Sequence, residues 1–397
     1  MKIKLLSVLS VLCLLFTVAS CGKKPTDIDV ESSNVSDIQL DIESDDSQLD
    51  EIPESGSEAD SDTSAADSAN STNSTNSTGS KSSTNSTSST GTASNNSQGG
   101  SQPTYAFGTY QERLQAFHNP MGRLMSCAHR ADWKNNPENS LEAVKSAIAM
   151  GVDAVEIDVM RTKDGVIVLM HDATLTRTTD ASAKRPDGLL SWEVKDWTWA
   201  QIQTLNLKKG RGGATAEVTS YKVPTLESVI EACRGKVLLN IDQGWNYRSD
   251  VYDMLVRMNA LEYCWIKSAT AAPEVNRFLD SKNPRPLFGA MVFNNVDEAI
   301  KQTRAYTTSK SPLPPIVEMA FSNTLRALET NMLSTALINE IKPKMGIMAN
   351  TLSLSDLVPE SEIDTLEYWK RLKDAGYNMI QTDDPAGLVA YINSLYK

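Results

Sequence analysis

From about position 106 onward, short apolar runs alternate with stretches of helical periodicity. Leu124–Ala128 is a first apolar run. Leu141, Val144 and Ile148 then recur at helical spacing, with Asn139 or Ser140 as the cap and Gly151 as the stop. Further strand-like runs fall near 153–159, 236–242, 263–267, 287–293, 315–320, 345–350 and 378–382. Helical stretches separate them at 224–234, 249–260, 271–280, 295–304, 323–341, 361–375 and 385–395. Eight strand–helix units predict an α/β protein, a (β/α)8 barrel, whose site would lie at the C-terminal ends of the strands. An open doubly wound sheet is the alternative. It is disfavoured because no Gly-rich phosphate loop follows the first strand.

Within that pattern one stretch gathers chemistry. Residues 152–172 read VDAVEIDVMRTKDGVIVLMHD. Two apolar runs flank Asp164-Gly165, a strong hairpin signal that predicts a two-residue type I′ turn. In that register Lys163 faces Val166, and Asp158 stands opposite His171. Glu156 and Asp158 share one face, with Val155, Ile157 and Val159 on the other. Two acids and an imidazole at a strand end suit a hard metal ion beside a proton-transfer group, and also a merely solvated polar face. His129 ends the first strand, so His129 and His171 would meet at one mouth of a barrel. The remaining histidine, His118, has no such setting and reads as structural.

Residues 173–223 break the repeat and read as an insertion over the mouth. Its Trp192, Trp197 and Trp199 suit a small local core. Lys208, Lys209 and Arg211 form a charge run there that suits a solvated loop better than a head-group site.

The N-terminal third differs. Lys2 and Lys4 precede the apolar run Leu5–Val18, which is too short to span a bilayer and has the shape of a signal h-region. It ends Val18-Ala19-Ser20-Cys21-Gly22, which resembles the lipobox of bacterial lipoproteins. That resemblance implies residues 1–21 as a signal, acylation of Cys21, a membrane anchor, and an extracytoplasmic location. Residues 22–105 are rich in Ser, Thr, Asn, Asp and Glu, and are expected to be a disordered tether. They carry −12, which is the net charge of the whole 397-residue chain. Residues 106–397 are therefore close to neutral, which argues against nucleic acid as a partner. Cys127, Cys233 and Cys264 are scattered and odd in number, as expected of buried thiols.

The stretch from Ser126 to Asp180 resembles the opening of the glycerophosphodiester phosphodiesterases. The shared motifs are His129-Arg130, Pro137-Glu138-Asn139-Ser140, Glu156-Ile157-Asp158, Thr162–Gly165, His171-Asp172 and Arg177-Thr178-Thr179. A late match is Gln381-Thr382-Asp383-Asp384-Pro385. The resemblance implies metal-dependent hydrolysis of glycerophosphodiesters to sn-glycerol 3-phosphate and an alcohol. It also implies His129 and His171 as acid and base, and Glu156, Asp158 and an acid on the third barrel strand, here Asp242, as metal ligands. His129 as base and His171 as acid is the favoured assignment; the reverse stays open, as does water or a glycerol hydroxyl as nucleophile. The family has Glu-x-Lys on the third strand. Here Asp242 is followed by Gln243 and the lysine is missing, so Lys267 on the next strand is expected to supply the positive charge. Ala131 replaces the glycine of the family's HRG, a change expected to matter little.

Three carboxylates suit one divalent cation, Ca²⁺ or Mg²⁺. Arg130 is expected to grip the phosphate. Glu318 and Asn350, on later strands, either line the substrate site or bond the rim. Competing functions on the same barrel are a phospholipase D-like or teichoic-acid-type phosphodiesterase, and a non-catalytic binding lipoprotein.

Overall fold

The computed structural model describes residues 108–293, 296–320, 332–351 and 364–396. The expectations for residues 1–105, Cys21 among them, lie outside the described residues. No described helix is long and apolar enough to cross a membrane.

Eleven strands follow in chain order: β1 Met125–Ala128, β2 Ala154–Arg161, β3 Ile167–Leu169, β4 Asn206–Lys208, β5 Val218–Lys222, β6 Leu238–Asp242, β7 Cys264–Ser268, β8 Leu287–Val292, β9 Ile316–Met319, β10 Gly346–Asn350 and β11 Met379–Thr382. Eight of them form one parallel sheet in the order β1, β2, β6, β7, β8, β9, β10, β11, and β11 pairs back to β1. The sheet is therefore a closed (β/α)8 barrel. Helices 141–150, 226–233, 248–257, 272–280, 296–307, 335–341, 366–375 and 385–395 lie between successive strands or after the last. Strands buried on both faces read as continuous apolar runs, which is why the alternation of runs and helices was legible. The outward-facing Val155, Ile157 and Val159 are fully buried, in the same core cluster as Ala143, Val144 and Ala147 of helix 141–150. Each such aliphatic side chain contributes roughly 1.5–3 kcal/mol by leaving water. A helix at Tyr110–Phe117 covers the other end of the barrel. Its Arg113 donates to the carbonyls of Lys236 and Gly151, just before β6 and β2.

Of the two cap candidates, Ser140 caps helix 141–150, accepting from the Ala143 N–H. One local expectation is corrected: the hairpin register differs by one residue. β2 and β3 pair Val159 with Leu169, Met160 with Val168 and Arg161 with Ile167. Asp158 therefore meets Met170, whose N–H donates to the Asp158 carbonyl, and not His171. The loop has three residues, closed by Thr162 N–H to Val166 carbonyl and Gly165 N–H to Thr162 carbonyl. Gly165, at φ 87°, takes the left-handed place of a three-residue turn with a bulge. The Thr162 hydroxyl donates to Asp164 and accepts from the Val166 N–H, fixing the wider loop. Asp-Gly is compatible with either turn, and the threonine selects this one.

Residues 173–223 carry the two-stranded antiparallel β4–β5 sheet, which the sequence pattern did not predict. They also carry a second apolar cluster. Trp197, Leu175, Ile202, Leu205 and Leu207 are buried together with Val168 and Met170 of the hairpin, and Trp192 and Trp199 pack against them. The tryptophans thus form the local core expected of them. Cys127, Cys233 and Cys264 are buried free thiols.

Candidate active site

β2 and β6 pair in parallel, with Glu156 beside Asn240 and Asp158 beside Asp242. Strand alternation then sends Glu156, Asp158 and Asp242 to the same interior face. One carboxylate oxygen from each lies within 4.8 Å of the other two. Glu156 and Asp158 are buried, whereas the Asp242 side chain is 29% exposed. Asp242 is the acid nearest to solvent at the mouth.

Lys267 reaches this cluster from β7. Its Nζ lies 3.0 Å from Asp242, 3.1 Å from Glu318 and 3.9 Å from Glu156. Burial opposes a charge there, but these three acids raise its pKa well above the usual lysine value. Asp242 is affected in the opposite sense. Burial pushes it up, and the Lys267 ammonium outweighs that and holds it below the ordinary carboxylate range. Glu156 is raised well above that range by burial and by the neighbouring Asp158 charge, against the pull of Lys267. Lys267 thus sets an ammonium among these acids from the strand next to β6. Glu318 and Asn350 belong to the same interior network, since the Asn350 amide donates to Glu318 at 3.2 Å.

Arg130 follows β1 with φ 49°, and Ala131 with φ 64°. This left-handed pair turns the Arg130 N–H onto Glu156 at 2.9 Å. Ala131 holds the family's glycine position, and its positive φ shows why glycine suits it. The Arg130 guanidinium donates to both oxygens of Glu138 at 3.2 Å, and its Nε lies 3.4 Å from Asp158 without a hydrogen bond. Asn139 brackets Asp158, donating to its carboxylate at 2.8 Å and accepting its backbone N–H at 3.0 Å. Releasing Asn139 from the cap serves this contact.

His129 Nδ1 lies 2.7 Å from Asp383, which also accepts Trp133 Nε1 at 2.6 Å. Burial raises Asp383, but the bond to His129 outweighs it and holds this carboxyl low. His171 lies one residue past the end of the hairpin ladder. Its Nδ1 is 2.7 Å from Asp172, and its side chain is 40% exposed. Gln243 ties its backbone to the cluster, with Nε2 2.9 Å from the His171 carbonyl and 3.5 Å from Asp158. Arg177 donates to both oxygens of Asp172 at 2.6 and 2.8 Å and to Glu138 at 2.7 Å. A continuous path of charged contacts therefore joins His171, Asp172, Arg177, Glu138, Arg130 and Asp158.

The loop after β4 closes over this path. Gly210 accepts the Glu138 N–H, Arg211 accepts from Arg177, and the Arg211 guanidinium lies over the Trp133 ring. Lys208 donates to the carbonyls of Thr176 and Gly213 and is structural, while Arg211 and Lys209 are exposed. His118 is exposed, its ring edge-on to Phe117, and takes no part. Sequence reasoning missed the roles of Glu138, Asn139, Asp172, Arg177, Gln243 and Asp383. Five of these lie in quoted motifs, which were the available signal.

A divalent ion fits this donor set. Asp242, Glu318 and Glu156 crowd one ammonium, Asp158 adds a fourth carboxylate, and the cluster stays net negative even beside Arg130. All the donors are oxygens, which hard cations prefer.

Residues 129–283 match the model of the Glycerophosphoryl diester phosphodiesterase family. The chain is 39% identical over 123 residues to a glycerophosphodiester phosphodiesterase of Caldanaerobacter subterraneus subsp. tengcongensis, covering 30% of this chain and 45% of that protein. It is 34% identical over 114 residues to Glycerophosphodiester phosphodiesterase 1 of Homo sapiens, covering 29% of this chain and 31% of that protein. The match thus spans less than half the length of these curated relatives. The barrel resembles the crystal structure of a glycerophosphoryl diester phosphodiesterase from Parabacteroides distasonis, with a TM-score of 0.56 at 24% identity over 73% of this chain and 94% of that one. A structure from Silicibacter pomeroyi gives 0.52 at 16% identity, over 72% and 98%. Residues 129–283 are thus similar to the glycerophosphoryl diester phosphodiesterase family, within a (β/α)8 barrel.

Proposed function

We propose that this chain is a metal-dependent phosphodiesterase that hydrolyses glycerophosphodiesters to sn-glycerol 3-phosphate and an alcohol. One observation carries the reading: Glu156, Asp158 and Asp242 converge within 4.8 Å beside a histidine held by a buried aspartate. The family match over residues 129–283 supports it.

In this reading Glu156, Asp158 and Asp242 hold one hard divalent cation, Ca²⁺ or Mg²⁺. When bound, the ion supplies Lewis-acid neutralisation of phosphate charge. Arg130, fixed by Glu138, sets its positive charge beside Asp158, where it draws the phosphate. Lys267 keeps Asp242 ionised and so ready to act as a ligand. His129 and His171 divide the proton transfers, one taking the proton of the nucleophilic hydroxyl and the other delivering one to the departing alkoxide. Such acid–base help is worth about 10²–10⁴-fold. The substrate enters as a small anionic diester at a mouth partly covered by the loop at 209–213.

The location follows from the N-terminal sequence. Acylation of Cys21 would anchor the chain to the outer face of the bacterial cell membrane. Residues 22–105 would act as a flexible tether with a root-mean-square reach of roughly 50 Å.

The test incubates the purified full chain with glycerophosphocholine and Mg²⁺ or Ca²⁺ and identifies the products. Release of sn-glycerol 3-phosphate and choline supports the reading. No release with either ion rejects it. Loss of membrane association in Cys21→Ser tests the anchor separately.

A further inference from the structure

We infer that Asp383 is a positioning residue for His129, holding its ring with the proton on Nδ1 and Nε2 bare, so that His129 takes the proton of the nucleophilic hydroxyl and His171 serves as the acid. This deepens the phosphodiesterase reading and rests on it.

Two histidine–aspartate pairs border the acidic cluster, each at 2.7 Å, but they are not equivalent. The His129–Asp383 pair is buried, with side chains 9% and 4% exposed. The His129 backbone N–H donates to the Thr382 carbonyl at 3.1 Å, so backbone and ring are both held by consecutive residues at the end of β11. Asp383 is itself fixed. Its N–H donates to Asp364 at 2.8 Å, and Asp364 also accepts the Thr382 hydroxyl and Trp369 Nε1. Trp133 Nε1 donates to the same Asp383 oxygen that faces His129. A carboxylate only accepts, so the imidazole nitrogen facing it carries the proton. In the neutral ring the other nitrogen is then bare. Among the described residues, His129 is the only ion-pair partner of Asp383, and the more distant Arg211 charge helps keep this carboxyl ionised beside the ring.

The second pair is charge-balanced already. Arg177 occupies both oxygens of Asp172. The His171 ring is 40% exposed and can be reprotonated from solvent. Loss of its proton leaves a neutral imidazole beside a compensated Asp172–Arg177 pair.

The nucleophile's O–H bond breaks and its proton moves to His129 Nε2 as the new O–P bond forms. The P–O bond to the alcohol breaks with its electron pair on oxygen, and that oxygen takes a proton from His171. Solvent then removes the His129 proton and restores the one on His171.

The experiment compares Asp383→Asn, Asp383→Ala and His171→Ala in the full chain on two diesters, glycerophosphocholine and glycerol 3-(p-nitrophenyl phosphate). Nitrophenolate departs without an acid. His171→Ala should therefore lose about 10²–10⁴-fold in kcat on the choline diester and much less on the nitrophenyl diester. Both Asp383 variants should lose kcat on both diesters, about tenfold or more for Asn and about 10²–10⁴-fold for Ala, with KM within about threefold of wild type. A merely structural Asp383 would be rescued by Asn, which keeps an acceptor oxygen. Wild-type kcat in Asp383→Asn, or losses confined to the choline diester, would overturn the inference. ¹⁵N spectra provide a readout independent of turnover, because the chain has only three histidines. His129 should show the Nδ1–H tautomer in the wild type and lose that preference in Asp383→Ala. An Nε2–H tautomer in the wild type would refute the positioning. If the wild type cleaves neither diester, the phosphodiesterase reading fails, while the spectra still decide the tautomer.

Discussion

Lys267 Nζ lies 3.0 Å from Asp242 Oδ2 although the two side chains come from adjacent barrel strands and only the acid touches solvent. The ammonium stands among acids that would otherwise repel one another. Lys267→Met removes it and leaves Asp242, Glu318 and Glu156 uncompensated. Breaking a buried pair on one side costs about 3–5 kcal/mol. A divalent ion that binds only the folded state restores part of that loss. Denaturant melts with EDTA and with saturating Mg²⁺ should therefore show a large destabilisation that narrows in metal, together with a marked fall in turnover. Unchanged stability and full activity would remove Lys267 from the site.

Asn139 should matter to metal affinity without being a ligand. It holds both the carboxylate and the backbone N–H of Asp158. Groups that orient metal ligands typically contribute 10–100-fold to affinity, and we expect a loss of about that size in Asn139→Ala. Isothermal titration with Ca²⁺ and Mg²⁺ measures it. Helix 141–150 should stay intact by circular dichroism, since Ser140 supplies its cap.

Asp172 makes stability depend on pH in a defined window. Arg177 and His171 draw its pKa down from 3.8 to about 2, against the effect of burial. A depressed carboxyl pKa stabilises the fold above the unfolded value, and this contribution is lost as pH falls through the folded value. The stability gap between wild type and Asp172→Asn should be constant above about pH 5 and close between pH 4 and pH 2. Urea melts across that range check it. A gap that persists at pH 2 would show that the contact does not depend on the charge.

Gly212 is the tightest point of the loop over the mouth. Its φ is 69°, and a Cβ there would collide with the Arg177 carbonyl. Gly212→Ala must therefore move Arg177 or the loop. We expect about 1–2 kcal/mol of destabilisation from the left-handed backbone alone, and reduced kcat/KM because Arg177 holds Asp172 and Glu138. Gly213→Ala, at φ 112° with nothing near its Cβ, separates backbone strain from collision.

The barrel was legible because its strands are buried on both faces and its helices are amphipathic, so the two periods alternate along the chain. Glu156 and Asp158 were legible by alternation alone, whereas Asp242 came only from the family resemblance, because its place beside Asp158 depends on the β2–β6 register. The hairpin was legible in place but not in register, because Asp164-Gly165 fits two loop lengths and the choice rests on the Thr162 hydroxyl. The β4–β5 sheet gave no alternating signal, since Val218–Lys222 is mostly exposed and carries few apolar residues. Asp383 was visible only as a motif letter. Its contact with His129 spans 254 positions and exists only because β11 closes on β1.

In the proposed function, Glu156, Asp158 and Asp242 hold the ion on which turnover depends. The most direct measurement is hydrolysis of glycerophosphocholine by the metal-stripped full chain as Ca²⁺ or Mg²⁺ is added back, for wild type and Asp158→Asn. We predict no product after stripping, saturable recovery in the wild type, and weak or no recovery in the variant at the same ion concentrations. Undiminished release of sn-glycerol 3-phosphate in EDTA, or equal recovery in Asp158→Asn, would contradict it.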